Sequence, residues 1–321
     1  TIIFFIILFF TLVKTISILE YLYSMSISRQ NLSIVIVTFK SEKVIHKCIL
    51  SIDNSIKIIV IDNSNNKEFK EEIENKYKNV TCYLSSKNLG MGAGNNLGIE
   101  YVQTDYAFIL NPDVVLETST IDKMILASKK ISSFMILSPL SLNKDYPNYK
   151  LGTDKNNITE TIKPFKVMSV DGFAMLINKK EIEKFRDNKE SNLFDENFFM
   201  YLENDDLCKR ITDKNEDIYI IPDAKINHLG GKAVNEKYQE QIELSRNWHW
   251  IWSKFYYNKK HYGFLTALIK GSPIFLSASL KVIFYFVINN KTKKNIYLNR
   301  ASGYFNGLLG KPSWYRPNIK D

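Results

Sequence analysis

From Leu32 onward the chain alternates short β-branched runs with amphipathic stretches. Residues 32–39 (LSIVIVTF) have the length and composition of a buried strand. In 41–52 (SEKVIHKCILSI), Val44, Ile45, Cys48, Ile49 and Ile52 fall at helical spacing, and Ser41 stands where a cap is expected. Residues 57–64 (KIIVIDNS) repeat the strand signal and end polar, 67–77 (KEFKEEIENKY) predict a charged helix, and 80–86 (VTCYLSS) a third strand. Residues 92–102 (GAGNNLGIEYV) read as a loop entering a helix and 106–116 (YAFILNPDVVL) as an interrupted strand. A helix over 119–131, started near Thr118 or Ser119, and a strand over 134–142 (FMILSPLSL) follow.

Strand and helix alternating in this way predict an α/β fold, with a mostly parallel central sheet and helices on both faces. In such sheets ligands bind beyond the carboxyl ends of the strands. Chemistry is therefore expected at Thr38, at Asp62 to Ser64 and at Asn111 to Asp113. After about residue 140 the pattern loosens. Residues 142–157 are turn-rich, and 167–185 predict a strand, an Asp-Gly turn, a strand and a helix. Residues 194–231 predict an aromatic loop, a carboxylate cluster, a helix, a strand and a glycine turn.

With 321 residues, 45% hydrophobic and 24% charged, the chain is of globular type and can bury a sizeable core. Lysine and arginine exceed aspartate and glutamate by 9 (43 against 34). That excess suits a phosphate-bearing substrate, a nucleic acid or an anionic membrane surface. Cys48, Cys82 and Cys208 are far apart, which excludes a Cys-x-x-Cys metal or redox pair and a disulfide framework. They read as reduced, packed thiols of a cytosolic protein.

The N-terminal run TIIFFIILFFTLV has no charge before Lys14. As a helix it would span about 20 Å, short of the roughly 30 Å hydrocarbon core. It lacks the basic start and small-residue cleavage site of a signal peptide. A membrane anchor, a terminal piece of a longer chain and upstream codons translated in error all account for it. A start near Met25 is the favoured expectation, with residues 1–28 outside the catalytic fold.

Pro112 cannot sit inside a central strand, because it removes a ladder hydrogen bond. It belongs at the strand's end, which projects Asp113 from the carboxyl edge as a hard oxygen ligand for Mg²⁺ or Mn²⁺ holding a diphosphate. Asn-Pro-Asp is otherwise simply a turn. Asp62 could accept hydrogen bonds from a nucleobase or ribose, or close an Asx turn. Gly90, Gly92, Gly94 and Gly98 would let backbone N–H groups approach an anion, but the third position of a dinucleotide fingerprint is Asn95, and the loop follows the third strand. Glu203, Asp205 and Asp206 open a helical stretch, where capping explains one or two acids. Three beside the apolar FFMYL suggest a tuned general base. His228 ends a short strand before two glycines and on its own is an ordinary histidine.

Seven pieces stand in order: SIVIVTFKSEKVIHKCILSI, IIVIDNSNN, NLGMGAGNNLGI, FILNPDVVL, VDGFAMLINKKEI, FDENFFMYLENDDLCKR and NHLGGKAV. Over residues 32–250 the chain resembles the nucleotide-sugar-dependent glycosyltransferases of family 2, which have the GT-A fold, and within them the bacterial rhamnosyltransferase-like enzymes of polysaccharide assembly. The resemblance implies that Thr38 and Asp62 line a nucleotide pocket and that Gly90, Gly92 and Asn95 shape the donor loop. It implies a metal at Asp113 and His228, with Asn111 replacing the first acid of the Asp-x-Asp motif, and an acceptor side at Asp171 and Gly172. The family's Glu-Asp pair reads Glu203-Asn204 here, and an amide is no useful base. The base is then Asp206, Asp205 or Glu203, with Asp206 and Glu203 ranked first.

The reaction implied is an inverting transfer, rhamnose being one candidate sugar, from a nucleotide-diphosphate donor to a polyprenol-diphosphate-linked sugar or a glycan. A non-catalytic nucleotide-sugar-binding module that has lost its base is the rival that Asn204 motivates. No nucleic-acid partner is expected, and a homo-oligomer is left open. Residues 29–235 are expected to form the catalytic domain and 236–321 a helical C-terminal region. Its aromatic and basic stretch, Arg246 to Lys260, suits a lipid headgroup boundary. Residues 264–288 are apolar except for Lys270 and Lys281, and Lys270, Gly271 and Pro273 argue against one clean spanning helix. Peripheral association with the cytoplasmic face of a bacterial inner membrane is the expectation.

Overall fold

The computed structural model describes residues 27–143, 147–152, 162–185, 192–230, 234, 236–317 and 319. The N-terminal apolar run and Met25 lie outside them. The first half follows the expected order: β1 (Leu32–Thr38), α1 (Ile45–Leu50), β2 (Lys57–Asp62), α2 (Lys67–Lys76), β3 (Val80–Leu84), α3 (Met91–Glu100), β4 (Tyr106–Leu110), β5 (Val114–Leu116), α4 (Thr120–Ser128) and β6 (Ile136–Ser141). The short strands β7 (Tyr149–Lys150), β8 (Phe165–Lys166) and β9 (Ser169–Val170) come next, then β10 (Ala174–Asn178), α5 (Lys179–Ile182), α6 (Glu203–Thr212) and β11 (Ile218–His228). Three helices close the chain: α7 (Gln239–Tyr262), α8 (Phe264–Val287) and α9 (Lys291–Leu308).

The main sheet runs β3, β2, β1, β4, β10, β6, β11, β5, with β8 added on β11. Strands β5, β8 and β10 run against the other six. The β-branched runs become strands because both faces are covered. Ile34, Ile36, Ile58, Val60 and Phe108 go to one core, while Val35, Val37, Ile59, Ile61 and Ile109 go to the other. Helix α3 closes on that second face through Gly98, where an added Cβ would lie 2.4 Å from Val35 Cγ1. Pro139 lies inside β6, yet β10 pairs only with Ile136 and Leu137, and the β11 register shifts after Ile221. The missing N–H therefore falls at an irregularity.

The antiparallel strands bring distant segments to the carboxyl ends of β1, β2 and β4. Ala174 pairs with Leu110, and the Asn111 amide donates to the Phe173 carbonyl at 2.9 Å, so the 171–173 turn lies beside Asn111. His228 pairs with Val114, one residue after Asp113.

Several expectations change. Ser41 does not cap α1 with its side chain. The N-cap is Val44, and Ser41 Oγ turns back to the Phe39 carbonyl at 3.3 Å. The fold starts before residue 29, since Ile27 is buried in the core beneath the sheet. The segment from Arg246 to Lys260 is partly core: Trp248, Trp252 and Phe255 of α7 are buried against the rest of the protein, while Trp250, Lys259 and Lys260 are exposed. Helix α8 runs unbroken through Gly271 and Pro273. Packing on α9 carries it past the lost hydrogen bond. An added Cβ on Gly271 would lie 2.3 Å from Tyr304 Cε2, and Ser272 Oγ is 3.0 Å from the Tyr304 hydroxyl.

Gly98→Val is expected to lower folding stability by about 1–3 kcal/mol through overpacking against Val35 and Ile61. A urea titration followed by circular dichroism measures it, and an unchanged midpoint contradicts the packing described.

Candidate active site

A cleft of about 590 Å³ opens at the carboxyl ends of the parallel strands, a size typical of small-molecule sites. Thr38, Gly90, Asn111, Asp113, Asp171, Gly172, Glu203, Asp205 and His228 all line it. These residues come from six separate stretches of chain, and the topology above is what joins them.

Asp113 is buried, and its Oδ1 has no hydrogen-bond partner among the described residues. The His228 Nε2 lies 3.4 Å from that oxygen. The His228 ring is set by stacking on Phe173, with centroids 4.0 Å apart. Asn111 Oδ1 is also buried without a partner. Unsatisfied buried oxygens are costly and call for an explanation such as a ligand or ion. Among the described residues no group of three or more His, Cys, Asp or Glu could hold a metal. Asp113 and His228 are nevertheless a set that fits a hard divalent cation whose remaining ligands are water and substrate phosphate.

The acidic helix α6 starts from two consecutive residues in the left-handed region, Tyr201 (φ 69) and Leu202 (φ 67). Such strain in non-glycine residues persists where the surrounding structure over-determines it, often at functional sites. It brings the first turn of α6 to the cleft. Glu203 is buried, its Oε2 has no partner among the described residues, and burial, then the charge of Asp205, pushes its carboxyl up to about 7. Asp205 pairs with Lys150 Nζ at 2.6 Å. Burial, followed by Asp205, pushes Asp171 up from its usual range. Asn204 Nδ2 donates to the Val170 carbonyl at 2.9 Å, and Gly172 is the close neighbour of its Cβ.

Four expected residues lie behind the cleft rather than on it. Asp62 is used inside the fold: its carboxylate accepts from Thr38 Oγ1 at 3.2 Å, the Ser64 amide at 3.0 Å and the Asn66 amide at 2.8 Å. Its neighbour Asn63 lines the cleft instead and ties the glycine loop to β2, donating to the Gly90 carbonyl at 3.1 Å. Gly92 and Asn95 sit within α3 behind that loop, and Asn95 Oδ1 is unpartnered.

Asp206, ranked first among the bases, is placed elsewhere. It is fully buried and accepts from Arg210 Nε at 2.9 Å, Lys260 Nζ at 2.7 Å and His261 Nε2 at 2.8 Å. It does not line the cleft, and its oxygens are taken up by three donors of the fold, which makes it a structural tie. It is rotated around the helix from Asp205 and lies one turn further along than Glu203, where Lys260 and His261 meet it. Sequence reasoning also passed over Lys150, Tyr201, Ser245, Arg246 and Trp250, which all line the cleft. Lys150 carried no signal, while Arg246 and Trp250 were read as part of a membrane belt.

The family model for glycosyl transferase family 2 matches residues 33–202. The chain is 26% identical over 204 residues to the low-salt glycan biosynthesis hexosyltransferase Agl10 of Haloferax volcanii, an alignment covering 59% of this chain and 64% of Agl10. It is 27% identical over 222 residues to the rhamnosyltransferase WbbL of Escherichia coli K12, covering 59% of this chain and 80% of that protein. Among solved structures it is similar to the mannosyltransferase PcManGT from Pyrobaculum calidifontis in complex with GDP-Man and Mn²⁺ (TM-score 0.52, 10% identity, 88% of each chain). It is also similar to GalNAc-T7 with UDP, GalNAc and Mn²⁺ (TM-score 0.50, 14% identity, 68% of this chain and 51% of that one). These last two likenesses concern the fold, which is GT-A. With its strand order, its cleft and a family model matched over more than half its length, the chain belongs to glycosyl transferase family 2.

Proposed function

We propose that this protein is an inverting hexosyltransferase of cell-surface polysaccharide synthesis. It would move a sugar, with rhamnose one candidate, from a nucleotide-diphosphate donor to a lipid-linked or glycan acceptor. The observation that carries the reading is the meeting of an unsatisfied Asp113 oxygen, His228 and a buried, neutral-range Glu203 in one cleft. The hexosyltransferase and rhamnosyltransferase named above support the substrate class.

The donor's nucleotide end lies along Thr38, Asn63 and the Gly90 loop, and its diphosphate points to Asp113. Asp113 and His228 would hold Mg²⁺ or Mn²⁺, which when bound neutralises charge on the departing diphosphate. Glu203 takes the proton from the acceptor hydroxyl. A carboxyl group near pH 7 is matched to that task. The acceptor oxygen forms its bond to the anomeric carbon as the bond to the diphosphate oxygen breaks, and the electron pair leaves with the diphosphate. One displacement from the opposite face inverts the centre. Asp205 is the weaker candidate because its Lys150 contact would have to break first. The enzyme reading is favoured over a binding module that has lost its base, because Glu203 and Asp205 of the acidic cluster line the cleft beside Asn204.

Helix α8 supports membrane association, for which attachment at the cytoplasmic face of the inner membrane is the arrangement proposed. Its 24 residues span about 36 Å, and Leu265, Ile269, Leu276, Leu280 and Ile283 are each at least 60% exposed. An apolar face of this kind is well beyond what scattered surface residues explain.

With a panel of nucleotide sugars and Mn²⁺, Asp113→Ala is expected to abolish turnover, and Glu203→Gln to lower it about 10²–10⁴-fold. Wild-type turnover should rise with pH through about 7, as Glu203 ionises. The stability sign is opposite. A carboxyl raised above its unfolded value favours the fold when protonated, and that contribution is lost as pH rises through about 7. Glu203→Gln should therefore leave the unfolding midpoint at pH 8 unchanged or higher. Asp206→Ala should instead lose about 1.5–3 kcal/mol of stability by leaving Arg210, Lys260 and His261 without the carboxylate they share. Normal turnover in Glu203→Gln would move the base elsewhere.

Replacing Leu276, Leu280 and Ile283 together by Gln should release the protein from anionic vesicles in a flotation assay without changing its circular dichroism. Equal flotation of the triple variant would remove α8 as the attachment surface.

A further inference from the structure

The family match ends at residue 202, but the cleft does not. Its far wall is a stripe of α7: Ile242, Ser245, Arg246 and Trp250. Ile242, Arg246, Trp250 and Lys254 recur every four residues, so they share one face of the helix. Ser245 is buried to 1% exposure, and its hydroxyl has no partner among the described residues. A buried hydroxyl on a cavity wall with nothing to bond is costly unless a ligand or water satisfies it.

Aromatic surface stands beside it. Trp250 is 39% exposed and meets the Tyr201 ring edge-on, with centroids 5.3 Å apart. Tyr201 is held there by the strained backbone that also starts α6. The charge of this wall is opposite to that of the donor side. Lys254 lies over the Trp250 ring at 4.4 Å and has no carboxylate within ion-pair distance among the described residues. Burial, then the charges of Lys150 and Arg300, pushes its ammonium group below the usual range. Arg246 and Lys254 bring two basic side chains to one face of the helix, which suits an anionic group.

We infer that this face of α7 is the acceptor subsite: Trp250 and Tyr201 receive a sugar ring, Ser245 bonds one of its hydroxyls, and Arg246 with Lys254 binds a phosphate attached to that sugar. The assignment rests on the glycosyltransferase reading above. It places much of acceptor recognition on α7, outside the family match, in the same cleft as the Glu203 carboxylate that would receive the proton. Asp171 and Gly172 line that cleft as well.

The test uses the full chain and two probes, N-acetylglucosamine 1-phosphate and a short-chain prenyl diphosphate carrying N-acetylglucosamine. Both are titrated calorimetrically in EDTA to silence the donor-side ion site. In parallel, a nucleoside diphosphate with Mn²⁺ is scored by thermal shift. Trp250→Ala and Arg246→Ala are each expected to weaken probe binding at least tenfold and to keep the nucleotide shift, while Trp250→Phe, which retains a ring, stays within about threefold of wild type. Binding of the prenyl probe alone would assign the phosphate to a lipid-linked acceptor, and binding of both would assign it to a sugar phosphate as such. Wild-type affinity in both alanine variants, or a wild-type chain that responds to nucleotide and binds neither probe, would overturn the assignment. A wild-type chain without a nucleotide shift would overturn the donor reading and this one with it.

Discussion

The arrangement depends on one buried carboxylate. Asp206 is sealed from solvent and contacts Arg210 of its own helix together with Lys260 and His261 of α7. Lys260 also bonds Asp195, and Arg210 Nη2 reaches the Leu193 carbonyl at 2.5 Å, so the loop leading into α6 belongs to the same network. Ion pairs of this type are weak as sources of stability but strict about geometry. Here they hold the first turn of α6 and the side of α7 across a single opening. The Ser253 hydroxyl donating to the Met200 carbonyl and the Tyr201–Trp250 ring contact join the same two segments.

The sheet supplies the other half of the geometry. Strands β1, β2 and β4 end at the cleft because they are parallel, whereas the start of β10 and the end of β11 reach it because they are paired with β4 and β5 in the opposite sense. The cleft is chemically divided: Asp113, Asp171, Glu203 and Asp205 come from the sheet edge and α6, and α7 contributes Arg246 and Trp250. A two-substrate transfer needs such a division, since each substrate must be oriented by groups the other does not use.

Much of this was legible along the chain. The β-branched runs marked β1, β2 and β4, since burial on both faces demands near-continuous apolar sequence. Pro112 marked the end of β4 and so placed Asp113 at the carboxyl edge of the sheet. Glu203 and Asp205 were legible as a cluster, and Asp206 was misread because linear proximity hides which way each side chain points around a helix. Asp62 was misread for a related reason: its carboxylate closes local turns, an ordinary use that the sequence leaves equally open. Arg246 and Trp250 looked like a membrane belt because composition alone does not reveal that the neighbouring Trp248 and Trp252 are buried. The unbroken course of α8 depended on Tyr304, some thirty residues later, which no local pattern announces.

The central claim is that Asp113, His228 and Glu203 act in one cleft on a nucleotide-linked diphosphate. Crystals grown with Mn²⁺ and a nucleoside diphosphate test it most directly, through anomalous scattering at the manganese edge. The account predicts one strong peak between Asp113 and His228, with the diphosphate beside it and the Glu203 carboxylate across the open cleft. A peak bound elsewhere, or nucleotide lying outside this cleft, would contradict it.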